Sequence, residues 1–364
     1  MKKLLTLVVG ARPNFMKAAP LIEAIRKEDL MEAQLIHTGQ HFDENMSNVF
    51  FEQLGLPKPD RYLDVHGGSP AHQVGRIILA LEKEFEKRKP AVVVVFGDVN
   101  STLAAAIAAN KSDLKLAHVE AGLRSFDRSM PEEHNRIVTD MLSDLLFTPS
   151  RDADQNLIDE GISEDRIYFV GNIMVDSLLR FKTVAEEKKA WENYGMSPGH
   201  YGLVTLHRQS NVDALEDLEE IVDALVEIQS DLPLLFPVHP RSQKHLADHG
   251  LAGRLSEAGI RVLEPLGYLE FLSLMTRAQL VVTDSGGIQE ETTVLGIPCL
   301  TVRSNTERPI TLRMGTNRLV GNKRDGILTG FRAAISQPLS GTQPELWDGK
   351  TAQRIVEILA AAKA

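Results

Sequence analysis

The chain has a single cysteine, Cys299, so an internal disulfide framework is excluded; one thiol inside the apolar stretch Ile297 to Val302 reads as a small buried hydrophobe. Basic charge is also scarce: 40 Lys and Arg against 50 Asp and Glu leave a net charge of −10, which argues against general nucleic-acid binding. Any anionic ligand must then be held by local cations and helix N-termini, not by the overall field. No apolar run approaches the roughly 18 residues of a membrane span. Met1-Lys2-Lys3 leads straight into Leu4 to Val9, too short for a signal-peptide core and followed by no small-residue cleavage site, which predicts a cytoplasmic protein with no membrane partner. The turn after this first segment lacks the G-x-G-x-x-G spacing, so a dinucleotide is not favoured. There is no H-E-x-x-H, His37 and His41 lack a third ligand at a useful interval, and no metal is expected. A G-x-S-x-G nucleophile elbow is absent as well.

What the chain does have is alternation. With 364 residues it exceeds the length at which one core stops growing, and two domains are expected. Apolar runs Leu4 to Val9, Ala33 to Thr38, Ala91 to Phe96 and Leu116 to Val119 alternate with helical stretches at Lys17 to Lys27, Asp43 to Leu54, Ala71 to Lys87 and Ser101 to Asn110. All-apolar strands such as Val92 to Val95 belong to parallel sheets covered on both faces. A polar helical stretch, Val175 to Tyr194, follows Ile167 to Val170 and ends at Gly195 and Pro198; the alternation then restarts at Gly202 to Leu206, continues through a helix from Asp213 to Gln229 and the run Leu280 to Thr283, and reaches Cys299 to Val302. The expected domains are residues 1–172 and 173–350. The expected fold is α/β: two Rossmann-like doubly wound domains of the glycosyltransferase-B type, with an active-site cleft between them.

Titratable residues sit where these strands give way to turns: Asp98, Glu120, His207 and Asp284. Ligands of parallel α/β sheets bind outside the carboxyl ends of the strands, so this placement predicts an enzyme. Arg12 and Lys17 put two cations beside a helix N-terminus, as a phosphate would require. Asp284-Ser285-Gly286-Gly287 offers backbone N–H groups to an anion, and Glu291 further along that helix suits the two hydroxyls of a ribose. Asp98 also fits a helix cap, whereas Glu120, before Ala121-Gly122, has no capping explanation. Pro131-Glu132-Glu133 starts a helix with acids that suit its dipole; that account is enough for Glu133, while Glu132 and Arg136, one turn apart, read as functional. His207-Arg208 at a strand end suits a diphosphate.

Gly10-Ala11-Arg12-Pro13, Gly97-Asp98, His118 to Arg124, Pro131 to Arg136, His207-Arg208, Thr283 to Glu291 and Thr306 to Pro309, in that order, resemble the motif series of the non-hydrolysing UDP-N-acetylglucosamine 2-epimerases. The resemblance covers about residues 4 to 321. It implies interconversion of UDP-N-acetylglucosamine and UDP-N-acetylmannosamine, through loss of UDP to a 2-acetamidoglucal and re-addition, in a homodimer with no redox cofactor and no catalytic metal, serving cell-surface polysaccharide biosynthesis. By this resemblance Asp98, Glu120 and Glu132 supply acid, base and electrostatic roles; Arg12, Lys17, Arg136, His207 and Arg208 hold phosphates or the leaving UDP. Ser285, Gly286 and Gly287 would bind the diphosphate, and Glu291 the ribose. Phe271 is a candidate neighbour of the uracil and equally a helix core residue. The C-terminal helix, within 351–364, would return to the first domain.

Departures bear on substrate and regulation. Many family members carry Glu where this chain has Asn14 and Ser210. Gln40 and His41 match a pocket through which some bacterial members are activated by their own substrate, but Asp43 replaces its second glutamine, and an acid beside a diphosphate is unfavourable. Weak or absent self-activation is the expectation. The rival readings are a 2-epimerase of a UDP-2,3-diacetamido uronic acid, a hydrolysing epimerase, a glycosyltransferase-B type sugar transferase and a non-catalytic UDP-sugar sensor.

Overall fold

A computed structural model of the chain describes residues 2–40, 58–337 and 339–362, with the backbone alone at Arg12. The helix expected from Asp43 to Leu54 lies outside these residues. Two compact units emerge, residues 1–177 with 345–364, and residues 178–344.

The first unit carries strands β1 (Lys3–Val9), β2 (Met31–His37), β3 (Arg61–Tyr62), β4 (Val92–Phe96), β5 (Lys115–Val119), β6 (Leu145–Thr148) and β7 (Ile167–Phe169), in the spatial order β3-β2-β1-β4-β5-β6-β7. The second carries β8 (Gly202–Thr205), β9 (Leu234–Pro237), β10 (Arg261–Leu263), β11 (Leu280–Thr283), β12 (Cys299–Thr301) and β13 (Asn317–Leu319), in the order β10-β9-β8-β11-β12-β13. Adjacent strands are parallel in both sheets. Both orders are the doubly wound kind, with the direction of winding reversing between β1 and β4, and between β8 and β11. A crevice at the carboxyl ends of those strands follows from topology alone, once in each unit.

Burial explains the elements. All five residues of β4 are fully buried, as a central parallel strand covered on both faces requires. The helix Pro70–Lys87 starts at Ser69, whose side chain accepts from the His72 amide, with Pro70 in the first turn. It buries Ile77, Leu81 and Phe85, spaced by one turn each, against a core that includes Val93, Val95 and Ala104. Those three side chains stabilise the unit by about 6 kcal/mol, and Leu81→Ala alone removes about 3 kcal/mol. In the helix Asn100–Lys111 the buried face is mostly alanine, which lets the backbone come close to its neighbours. Cys299 is fully buried, and burial pushes its thiol up to about 12, as a small inert hydrophobe should behave.

Two helix positions differ from the sequence expectation. The first helix starts at Arg12, not Lys17, because Pro13 suits a first turn and the Asn14 side chain accepts from the amides of Gly10 and Ala11, at 3.2 Å each. Pro20, inside this helix, has no N–H for the carbonyl of Met16; the Ser177 hydroxyl donates to that carbonyl instead. In the second unit a short turn of helix, Gln209–Val212, precedes the helix Leu215–Asp231, where a single helix from Asp213 was expected.

The last helix, Thr351–Ala361, belongs to the first unit. Asp176 accepts from the amides of Thr351 and Ala352 at 3.2 and 2.8 Å, satisfying donors at its N-terminus. Lys3 Nζ donates to the carbonyls of Leu359 and Ala362 at the other end, where a cation also suits the dipole.

Candidate active site

In the first unit the ends of β1, β4 and β5 converge. Asn14 is buried, and its amide nitrogen donates to the carbonyl of Phe96 at 2.9 Å, tying the first helix to the end of β4. One turn later Lys17, also buried, forms an ion pair with Glu120. Glu120 has φ +74°, in the left-handed region that costs a non-glycine residue about 1–3 kcal/mol. Its amide and that of Ala121 both donate to the Phe147 carbonyl, which holds the turn. Gly97, φ +61°, leaves the room this pair occupies: a Cβ there would sit 2.8 Å from Lys17 Nζ. Asp98, partly exposed, meets Arg136 Nη2 at 2.5 Å, and the Asn135 side chain donates to its backbone carbonyl.

Glu133 does more than suit the dipole of its helix. It is 1% exposed and accepts from the amides of Ser125 and Phe126, the Ser125 hydroxyl and Arg136, all within 3.0 Å. Arg136 therefore lies between Glu133 and Asp98, while Glu132, its expected companion, is exposed. Residues three apart on the helix Pro131–Leu142 share its inward face, and a run of polar residues gave no sign of which face that was. Arg12 is the first residue of the helix Arg12–Arg26. Gln40 Oε1 accepts from the amide and hydroxyl of Ser101, at 2.9 and 2.6 Å, at the start of the helix Asn100–Lys111. His41 lies outside the described residues.

In the second unit the ends of β8 and β11 carry a different arrangement. His207 is 43% exposed, with Nδ1 2.7 Å from Asp284 Oδ1. Asp284 is fully buried and accepts from the amides of His207 and Arg208 and from Asn211 Nδ2. Burial alone would raise its carboxyl; the hydrogen bond and charge of His207, with the backbone donors, overcome this and hold it below the usual carboxylate range. Ser285 precedes the helix Gly286–Leu295, and its amide donates to the Thr283 hydroxyl. A Cβ on Gly286 would sit 2.4 Å from Arg308 Nη1, whereas around Gly287 there is open space. Glu291 is buried and accepts from the Tyr268 hydroxyl at 3.1 Å. Phe271 is half-buried on the helix Tyr268–Thr276.

Comparison with known proteins gives these two arrangements a context. A family described as UDP-N-acetylglucosamine 2-epimerase matches residues 23–360. The chain belongs to the UDP-N-acetylglucosamine 2-epimerase family. A Methanocaldococcus jannaschii protein named UDP-N-acetylglucosamine 2-epimerase is 43% identical over 365 residues, 99% of either chain. A Pseudomonas aeruginosa protein named UDP-2,3-diacetamido-2,3-dideoxy-D-glucuronate 2-epimerase is also 43% identical, over 98% of this chain and 99% of its own. The crystal structure of the M. jannaschii UDP-GlcNAc 2-epimerase in complex with UDP-GlcNAc and UDP is similar with a TM-score of 0.92 at 42% identity, covering 99% of this chain and 100% of that one. The α/β, glycosyltransferase-B-like fold and the enzymatic character expected from the sequence are thus shared with this epimerase family.

Several side chains of this epimerase-family member escaped the sequence reading. Glu307 lies 2.8 Å from Arg303, 2.5 Å from Arg308 and 3.5 Å from Arg208, and Glu290 is 2.8 Å from Arg308. Burial lowers the Arg303 guanidinium despite Glu307. This knot, in which Arg303, Arg308, Glu290 and Glu307 are buried and Arg208 is half-buried, backs the Gly286 turn. Its one local signal was Thr306-Glu307-Arg308-Pro309, which carried the family resemblance without a role. Tyr268 and Asn14 were likewise unassigned. No helix is long and apolar enough to cross a membrane, and no group of three or more His, Cys, Asp or Glu is placed to hold a metal, among the described residues.

Proposed function

We propose that the protein interconverts UDP-N-acetylglucosamine and UDP-N-acetylmannosamine by reversible elimination and re-addition of UDP. The observation that carries this reading is the pair of carboxylates, Asp98 and Glu120, at adjacent strand ends, each against its own cation, Arg136 and Lys17. One carboxylate takes the C2 proton while the C1–O bond breaks and its electron pair leaves on the β-phosphate oxygen, giving the 2-acetamidoglucal. Return of UDP to C1 with a proton delivered to the opposite face of C2 gives the epimer. Positive charge that develops at C1 is stabilised by the same acids. Glu132, exposed at the start of its helix, is a third candidate acid.

The nucleotide half of the reaction falls to the second unit. Ser285 and Gly287 present the N-terminus of a helix to the diphosphate, His207 offers its Nε2 to the leaving phosphate while Asp284 holds Nδ1, and Glu291 takes the ribose hydroxyls. Arg12 and Arg208 assist with the phosphates, and Phe271 lies near the uracil. The enzyme works as a homodimer without metal or redox cofactor, which sedimentation and turnover in excess chelator check.

The P. aeruginosa relative favours one second reading, the same C2 chemistry on a UDP-2,3-diacetamido uronic acid. A proton NMR time course in deuterium oxide separates the two. A manno anomeric signal with deuterium at C2 is expected from UDP-N-acetylglucosamine. Exchange only with the diacetamido uronate nucleotide moves the assignment there, free N-acetylmannosamine points to hydrolysis, and no exchange with either overturns the reading.

A further inference from the structure

Beneath the two strand-end acids lies a buried pair with no part in the reaction above. His118, in β5, is fully buried, with Nδ1 2.6 Å from Asp140 Oδ1 and Nε2 2.8 Å from the carbonyl oxygen of Gly97. A carbonyl only accepts, so Nε2 donates. Asp140 is fully buried too; burial would raise its carboxyl, but the charges and hydrogen bonds of His118 and Arg124 hold it low. Its Oδ1 is the partner of His118 Nδ1. Its other oxygen accepts from the Gly122 amide at 3.1 Å and from Arg124 at 2.8 Å. Arg124 is in turn fixed by two 2.7 Å bonds to Glu160 and one of 2.8 Å to the Leu123 carbonyl.

The ends of this chain of bonds land on the two turns that carry the acids. Gly97 immediately precedes Asp98, and Gly122 lies two residues beyond Glu120; all but Asp98 have positive φ. Backbone bonds hold each turn locally, and side-chain cross-links add to what sets the separation between the two. The residue pairing of β4 with β5 stops at Phe96 and Val119, and the backbone bond beyond it runs from the Gly97 amide to the Val119 carbonyl at 3.0 Å, so neither acid is itself paired in the sheet. Filling this space would need only an apolar side chain, and burying an ion pair is costly. We propose that His118 is a positioning residue: together with Asp140 it ties the Gly97 carbonyl to the Gly122 amide and so sets the distance between the carboxylates of Asp98 and Glu120. This rests on the epimerase reading of those acids.

The test uses the full-length protein and its His118→Gln variant, whose side chain has one donor group and cannot bond Gly97 and Asp140 in the same geometry. Misplacing reacting groups by about 1 Å costs on the order of 10²-fold in rate. The expected result is a folded variant whose kcat for C2 proton exchange falls about 100-fold, while KM and the UDP dissociation constant by calorimetry stay within about threefold. Nitrogen-15 NMR of the wild-type ring should show a proton on Nε2, and the Nδ1 resonance should shift in Asp140→Asn, which replaces its carboxylate partner. That variant also serves the rate measurement should His118→Gln not fold. Exchange within about threefold of wild type in a folded variant would overturn the proposal, as would parallel loss of exchange and UDP binding, or a wild-type ring with no proton on Nε2. Failure of the epimerase reading shows itself separately, as wild-type protein that exchanges neither sugar nucleotide.

Discussion

The two units share a strand order and a crevice position, yet their strand-end charges are arranged in opposite senses. In the first unit the carboxylates stand at the turns themselves, Asp98 partly exposed and Glu120 buried, and cations from helices, Lys17 and Arg136, come to meet them. In the second the carboxylates are buried behind the turn: Asp284 collects amides and His207, while Glu290 and Glu307 brace Arg208, Arg303 and Arg308. The first arrangement presents acids, which proton abstraction needs; the second presents donors, which a diphosphate needs. Topology provides the crevice in both, and side chains alone decide what it does.

The largest effect should come from removing an acid of the first unit. Glu120→Gln is expected to lower C2 deuterium exchange by about 10³-fold, while the UDP dissociation constant moves little. A comparable loss of UDP affinity would break the division between the units. Asp284→Asn should do the reverse, weakening UDP binding about 30-fold through a loosened His207 and destabilising the fold by about 2 kcal/mol, read by calorimetry and urea unfolding. Its pH dependence has a definite sign. The Asp284 carboxyl is held low in the folded protein, so it contributes stability that is present above the ordinary carboxylate range near pH 4 and lost as pH falls through the folded value. Below about pH 4 the wild-type stability should fall more steeply than that of Asp284→Asn.

The contrast between the units was partly legible in the sequence. Runs such as Val92 to Val95 and Leu280 to Thr283 fixed the strands, and strand ends placed Asp98, Glu120, His207 and Asp284, because an apolar parallel strand has few alternatives. What supports those residues was not legible. Glu133 and Glu132 are neighbours in sequence and opposite in burial, a difference set by which face of one helix turns inward. The arginine knot joins positions from Arg208 to Arg308 and has no local pattern. Asn14, read as a departure from the family, is a buried link between the first helix and β4. Long-range polar pairs of this kind are specified by the fold and become visible only after it.

A glycine from each unit sharpens the comparison at smaller amplitude. Gly97→Ala places a methyl group 2.8 Å from Lys17 Nζ at φ +61°, so it should destabilise by about 1–2 kcal/mol and slow exchange about 10-fold even with UDP binding intact. Gly287→Ala meets nothing within 4 Å and lies in a helix, so stability should hold or rise by about 0.5 kcal/mol. A roughly 10-fold weaker UDP affinity at unchanged thermal stability would then mark a phosphate resting on that backbone. Unchanged affinity would place the diphosphate elsewhere.

The smallest effect tests whether sugar nucleotide binding is confined to the second unit. The Gln40 carbonyl oxygen accepts from the amide and hydroxyl of Ser101, in the first turn of the helix Asn100–Lys111, where an N–H has no partner within the helix. Gln40→Ala should therefore act as loss of a helix cap, about 1 kcal/mol in urea unfolding. Velocity against UDP-N-acetylglucosamine should be hyperbolic for the wild type and stay so in the variant, since Asp43 brings an added carboxylate to the sequence beside Gln40. A sigmoidal wild-type curve that turns hyperbolic in Gln40→Ala would mean that the first unit, too, responds to a bound nucleotide sugar, and the separation between an acid-presenting and a donor-presenting unit would no longer hold.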